Sequence, residues 1–261
     1  MNLGIQGRWA LVGGASKGLG HGVAAALAAE GVNVVMVART AATLDSAASK
    51  LRAANPSVQV LTVAADITTP AGREAIWSVK REFDIVVTNA GGPPAGDFRE
   101  WERDHWLAAL DANMLTPIEL IKATIDGMAA RGFGRIINIT SSAVKSPLDI
   151  LGLSNGARSG LTGFVAGLAR GSTAAQGVTV NNVLPGIFDT DRLASNFATQ
   201  ASKRGLDAAS VRAARIAEHP AKRLGDPAEF GAVVAFLCSQ QAGYINGQNI
   251  LLDGGSYPGT F

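Results

Sequence analysis

The stretch Trp9-Ala10-Leu11-Val12-Gly13-Gly14-Ala15-Ser16-Lys17-Gly18-Leu19-Gly20 decides the fold. Four apolar residues run into a glycine-rich turn, and an Ala-rich segment of helical length, 19–30, follows. Gly14, Gly18 and Gly20 are spaced G-x-x-x-G-x-G. Glycines permit the tight turn and let backbone N–H groups approach a pyrophosphate. The helix start behind them adds the positive end of its dipole. After a first strand and at a helix start, this spacing points to a dinucleotide.

Outward from this turn, short apolar runs alternate with helical segments. Residues 32–37, 58–63, 85–87, 135–139, 178–184 and 249–252 read as further strands. They are β-branched and largely without polar alternation, as suits strands buried on both faces. Between them, 41–54, 71–82, 101–131, 154–176 and 226–239 read as helices, the last opened by Asp226 at the N-cap and Pro227 behind it. The alternation predicts an α/β fold, one parallel sheet of about seven strands with helices on both faces. The chain of 261 residues suits a single domain. Segment 189–219 breaks the pattern and reads as a substrate lid or a plain helical hairpin.

Composition excludes several classes. Hydrophobic residues are 47% and charged residues 17%, which predicts an ordered core. A net charge of +2 gives no argument for nucleic acid or a membrane surface. No apolar run approaches the ~20 residues of a membrane span. The single Cys238 fits a reducing compartment and reads as a small buried residue. A soluble cytoplasmic protein is expected, with no metal site, because no His/Cys/Asp cluster is visible. His21, His105 and His219 form no recognisable triad with a Ser and an acid.

The second strand ends Val37-Ala38-Arg39-Thr40, without the acid that binds a ribose 2′-hydroxyl. Arg39 and Lys17 are the candidates to face a 2′-phosphate instead, so NADP(H) is favoured over NAD(H). Further motifs follow in order: Asp66-Ile67, Asn89-Ala90-Gly91-Gly92, Asp111-Ala112-Asn113, Asn138-Ile139-Thr140-Ser141-Ser142, Pro185-Gly186-Ile187-Phe188-Asp189-Thr190, and the tail Asp253-Gly254-Gly255. This series, from about residue 4 to 255, resembles the short-chain dehydrogenase/reductase family, in particular its 3-oxoacyl-ACP reductase-like members. The resemblance implies a Rossmann-type, doubly wound sheet. It implies cofactor contacts from Gly14, Ser16, Lys17, Gly18, Leu19 and Gly20, and from Arg39. Asp66 and Ile67 would meet the adenine, Asn89, Ala90 and Gly91 the strand-end side, and Pro185, Gly186, Ile187 and Thr190 the nicotinamide. One departure is Gly13, where the family has Thr; that residue helps tie the first strand to a neighbouring loop, so some local support is expected to be lost.

The family's catalytic group is Asn, Ser and Tyr-x-x-x-Lys. Asn113 and Ser141 match; Ser154 and Arg158 replace Tyr and Lys. No gap restores the pair, because the only Tyr are Tyr244 and Tyr257, and no Lys lies between Lys145 and Lys203. A phenol has an unperturbed pKa of roughly 10 and a serine hydroxyl lies far above it. Arg158 can hold cofactor ribose hydroxyls but stays protonated. Lys145, Asp149 and Tyr257 are candidates to compensate. Three functions remain open: an NADP(H)-dependent oxidoreductase on a carbonyl, imine or polarised double bond; a non-redox isomerase or lyase; and a non-catalytic NADP(H)-binding protein. The resemblance also implies a homotetramer or homodimer built on 101–131 and 154–176. The glycines 156, 160, 163 and 167 allow close helix approach, within or between chains. Lid cations Arg192, Lys203, Arg204, Arg212 and Arg215 suit an anionic or amphipathic substrate, or a solvated face.

Overall fold

The computed structural model describes residues 1–260. Seven parallel strands form one sheet in the order β3-β2-β1-β4-β5-β6-β7. They are β1 (Trp9–Gly13), β2 (Asn33–Ala38), β3 (Val60–Ala64), β4 (Ile85–Thr88), β5 (Gly134–Ile139), β6 (Val178–Pro185) and β7 (Asn249–Leu252). The order reverses between β1 and β4, and in open parallel sheets ligands bind at the strand ends beside such a point.

The apolar strand runs are explained by two cores. Ala10 and Val12 of β1 and Val34 and Met36 of β2 face one core, which includes Val23 and Leu27 of helix α1 (Gly18–Ala29), Leu44 of α2 (Ala41–Ala54), and Phe230 and Val234 of α9 (Pro227–Leu237). The alternate residues Leu11, Val35 and Val37 face the other. That core takes Ile76 of α3 (Pro70–Val79), Leu120 and Ile121 of α5 (Thr116–Ala130), and Leu161 and Val165 of α6 (Gly152–Leu168).

Two expected helices are divided. Segment 101–131 becomes α4 (Arg103–Leu110), a π-turn over Asp111–Leu115, then α5. Segment 154–176 ends as α6 at Leu168; Gly171 and a short 3₁₀ turn at Ser172–Gln176 follow, and left-handed Gly177 turns the chain into β6. Gly156 lies against the Trp106 ring and Gly160 against the Met114 sulfur, so this part of the glycine stripe packs within the monomer. Gly163 and Gly167 have open space beside them. Segment 189–219 is a helical hairpin, α7 (Asp191–Arg204) and α8 (Ala208–Glu218), closed on Phe197, Ala201 and Val211.

A line of side chains crosses the sheet near its site end. Thr88 Oγ1 donates to Asn138 Oδ1 (2.7 Å), Asn138 Nδ2 to Asn182 Oδ1 (3.1 Å), and Asn182 Nδ2 to Asn249 Oδ1 (2.8 Å). These residues are register partners on β4, β5, β6 and β7. The ladder fixes the relative height of the strand ends that carry Asn89, Ser141 and Pro185. Asn138→Leu leaves the Thr88 hydroxyl and the Asn182 Oδ1 without their buried partner. It is expected to cost about 2 kcal/mol and to lower the thermal midpoint by roughly 4–8 °C in a circular-dichroism melt.

Candidate active site

The glycine loop leaves β1 and is shaped by contacts only glycine allows. Gly14 and Gly18 have φ of +60° and +59°. A Cβ on Gly20 would strike the Gly14 carbonyl and come within 2.7 Å of the Gly13 oxygen. The departure at Gly13 has a local counterpart: a Cβ there would be 2.6 Å from the Asn89 carbonyl oxygen, and Asn89 Nδ2 donates to the Gly13 carbonyl (3.2 Å). The ends of β1 and β4 are thus joined directly, so the expected loss of support is offset. Gly91 is exposed, with nothing within 4 Å of an added Cβ. Backbone of the glycine loop and open space beside Gly91 thus meet at the β1/β4 reversal. That shape fits a dinucleotide.

The other expected cofactor residues border it unevenly. Asp66 Oδ1 accepts from the Thr68 N–H and hydroxyl (3.0 and 2.8 Å). Partial burial raises its pKa, but these bonds and the Arg39 charge outweigh that and bring it below the usual carboxylate range. Of the two expected 2′-phosphate residues, Arg39 is exposed, and Lys17 forms an ion pair with Asp191 (3.0 Å) at the start of α7. A hollow of about 460 Å³ opens beside the loop, lined by Ser16, Lys17, Thr43, Ser46 and Lys50. Thr190 caps α7, accepting from Leu193 N–H (3.3 Å), and its methyl faces Gly18. Gly186 is held against β7 by its N–H bond to Leu252 O (2.8 Å).

The expected catalytic residues gather at the end of β5. Ser154 and Arg158 lie one turn apart on the buried face of α6, each 9% exposed. Arg158 Nη1 donates to Ile139 O (2.6 Å), two residues before Ser141. Burial, and then the nearby Arg192 charge, lower the Arg158 pKa to about 10, so it remains charged at neutral pH. Arg158 and Asn113 border one small cavity of about 10 Å³ with Thr88, Asn89 and Ile139. Asn113 sits in the π-turn, its Nδ2 bonded to Ala109 O (3.2 Å); such turns are frequent at functional sites. Ser141 Oγ accepts from the Ala143 N–H (3.1 Å), which leaves its own O–H to donate to a substrate oxygen.

The compensating candidates have contacts of their own. Lys145 Nζ lies 5.6 Å from the centre of the Tyr257 ring, and the phenol oxygen lies beside Gly259. Asp149 Oδ1 accepts from the Ile150 N–H. His219 Nε2 meets Ser256 Oγ at 2.7 Å, while its Nδ1 accepts from the Ala221 N–H (3.3 Å). That places the ring proton on Nε2, donating to Ser256, the wrong tautomer to activate a nucleophile. Cys238 is buried and its thiol is pushed up to about 12. Among the described residues no cluster suits a metal ion and no helix is long and apolar enough to cross a membrane.

Two contacts escaped the sequence reading. Arg192, on the first turn of α7, reaches across to the loop after β4, where Nη2 donates to Pro93 O (3.3 Å). Trp101 lies over Gly152 and meets Trp106 edge-on, joining the β4–α4 loop to the start of α6. The tract Gly91-Gly92-Pro93-Pro94 was the visible signal that this loop is shaped by a neighbour.

Comparison with known proteins agrees with this geometry. The sequence model for the family described as enoyl-(acyl carrier protein) reductase matches residues 14–257. The 3-oxoacyl-(acyl-carrier-protein) reductase of Vibrio cholerae is 33% identical over 97% of this chain and 98% of its own. A subunit of a hydroxy(phenyl)methylsuccinyl-CoA dehydrogenase of Thauera aromatica is 33% identical over 96% and 94%. The crystal structure of L-sorbose reductase from Gluconobacter frateurii, complexed with NADPH and L-sorbose, superposes with a TM-score of 0.93 at 30% identity, covering 100% of both chains. With a family model over nearly its whole length and relatives a third identical from end to end, this chain belongs to the short-chain dehydrogenase/reductase family.

Proposed function

We propose that this protein is an NADP(H)-dependent oxidoreductase of a small carbonyl, imine or polarised double bond, working without the phenol-and-lysine pair. The observation that carries the reading is the joint placement of the glycine loop, Asn89 and Arg158 at the ends of β1, β4 and β5. The NADPH with which sorbose reductase is complexed supports the cofactor. So does the absence of an acid at the end of β2, where Arg39 stands exposed.

When bound, the cofactor supplies or takes the hydride at the substrate carbon. Backbone N–H groups of 14–20 would hold its pyrophosphate, and Arg158 its ribose hydroxyls. The Ser141 O–H orients the substrate oxygen. Ser154 is too weak an acid to deliver a proton directly, so a carbonyl oxygen takes its proton through water. An iminium carbon needs no proton at hydride transfer. The α7–α8 hairpin serves as a lid, strapped to the loop side by Lys17–Asp191. Exposed Trp106, Leu107, Leu115 and Phe164 suit pairing of two copies through α4–α6, which light scattering would report.

The test is NADPH absorbance with a panel of ketones, imines and enones. Slow turnover favouring imines is expected; tight NADPH binding with no turnover on any member would overturn the redox reading in favour of a binding protein or non-redox enzyme. Arg39→Ala is expected to weaken NADPH about tenfold while NADH is unaffected, read by fluorescence titration. Equal losses for both nucleotides would remove Arg39 from the 2′-phosphate.

A further inference from the structure

Five basic side chains lie on the 189–219 hairpin, and the structure separates one from the rest. Arg212 is paired with Asp189 (2.8 Å) and Arg215 with Glu218 (4.0 Å). Lys203 and Arg204 close α7 at its exposed far end. Arg192 alone of these reaches back over the groove to Gly92 and Pro93. Its residue is exposed overall, yet surrounding protein lowers the guanidinium pKa. Among the described residues the ion pairs take the neighbouring acids to other cations, Asp189 to Arg212 and Asp191 to Lys17, and none takes Arg192. Its one bond is to a backbone carbonyl, which leaves most of its five N–H groups for another acceptor.

The guanidinium lies flat against the loop: a Cβ on Gly92 would be 2.8 Å from both Nη1 and Nη2, so a larger residue there would make the end of Arg192 swing away. Both anchors are just outside expected cofactor segments: Gly92 follows Gly91, and Arg192 follows Thr190 by two residues. The fork therefore sits beside the segments expected to border the cofactor. Arg158 lies close enough for the two charges to repel. Arg158 and Arg192 thus bring two cations near each other, and a guanidinium fork matches a carboxylate with two parallel bonds.

We propose that Arg192 is a specificity residue that binds a carboxylate on the substrate, so that the protein acts on oxo acids rather than on their neutral counterparts. This rests on the oxidoreductase reading and names its substrate class. The other source of anionic oxygens is the cofactor's phosphates, and the test separates them.

Acetoacetate and levulinate are compared with their methyl esters, in wild type, Arg192→Met and Gly92→Ala. With saturating NADPH, kcat/KM for acid over ester is expected to be about ten- to hundredfold, the size of a charged hydrogen bond. It is expected to fall towards one in Arg192→Met. Gly92→Ala keeps the charge but takes the space of the guanidinium, and is expected to lower the ratio as well. In parallel, protein saturated with NADP⁺ is titrated with each compound and its thermal midpoint followed; this arm needs no turnover. No NADPH consumption with any compound sinks the oxidoreductase reading alone, and the titration still decides. Equal binding of acid and ester by wild type overturns the proposal. So does a preference that survives in Arg192→Met. A weaker NADPH affinity in that variant with the preference intact assigns the fork to the cofactor and also overturns it.

Discussion

Ser154→Tyr combined with Arg158→Lys is expected to raise kcat on a ketone by about 10²–10⁴, the usual contribution of a positioned general acid. The scaffold is in place for it. Helix α6 presents 154 and 158 on one buried face, and the end of β5 brings Ser141 to the same corner. A phenol at 154 carries an acidic oxygen further into the cleft than the serine hydroxyl reaches. The lysine supplies a cation that lowers the phenol pKa, as the neighbouring charge favours the phenolate. Ser154→Tyr alone is expected to recover much of the gain, since Arg158 already provides positive charge. Arg158→Lys alone is expected to recover none, because it adds no acid and gives up the guanidinium bond to Ile139 O.

The pH profile identifies the proton. Reduction needs the phenol protonated, so kcat/KM of the double variant falls as pH rises through its pKa. Wild type has no phenol there, and Arg158 keeps its charge until about pH 10, so no such limb is expected from this pair below that pH. Thermal midpoints check that each variant folds, and the single Ser154→Tyr variant carries the test if the double one does not. A folded double variant that binds NADPH yet stays as slow as wild type would show that proton delivery is not what limits this site.

Which parts of this arrangement were legible in the sequence follows from the range of the forces involved. The strands were readable because Val34, Val35, Met36 and Val37 are buried on both faces, a local pattern. The glycine loop was readable because its demands are local: Gly14 and Gly18 take positive φ, and a Cβ on Gly20 would strike the carbonyls of Gly13 and Gly14. The π-turn at Asp111–Leu115 was not, since Met114 must settle against Gly160, far along the chain. Asn138, Asn182 and Asn249 are ordinary polar residues one at a time; only the strand order lines them up. Lys17 read, with Arg39, as a candidate to face a 2′-phosphate. Its ion pair with Asp191 was not visible, because Asp191 comes from the hairpin, whose direction no local signal sets.

The second large effect tests where the nucleotide lies, through two glycines with opposite surroundings. Gly20→Ala pushes a methyl against the Gly13 and Gly14 carbonyls, so the whole loop must shift and its N–H groups lose their aim. Several charge-assisted bonds weaken together, and NADPH affinity is expected to fall at least about a hundredfold. The free protein is expected to melt lower as well, because the strain exists without ligand. Gly91→Val differs. Nothing lies within 4 Å of a Cβ there, and the residue is exposed, so the free protein should melt as wild type does. Its branched side chain projects into space that the proposed NADPH needs. NADPH raises the wild-type midpoint by preferential binding, worth about 2.7 kcal/mol at a hundred times Kd. Gly91→Val is expected to lose most of that rise while keeping the unliganded midpoint. If the rise survives, the open space beside Gly91 is not where the nucleotide binds, and the groove between β1 and β4 is the wrong site for it.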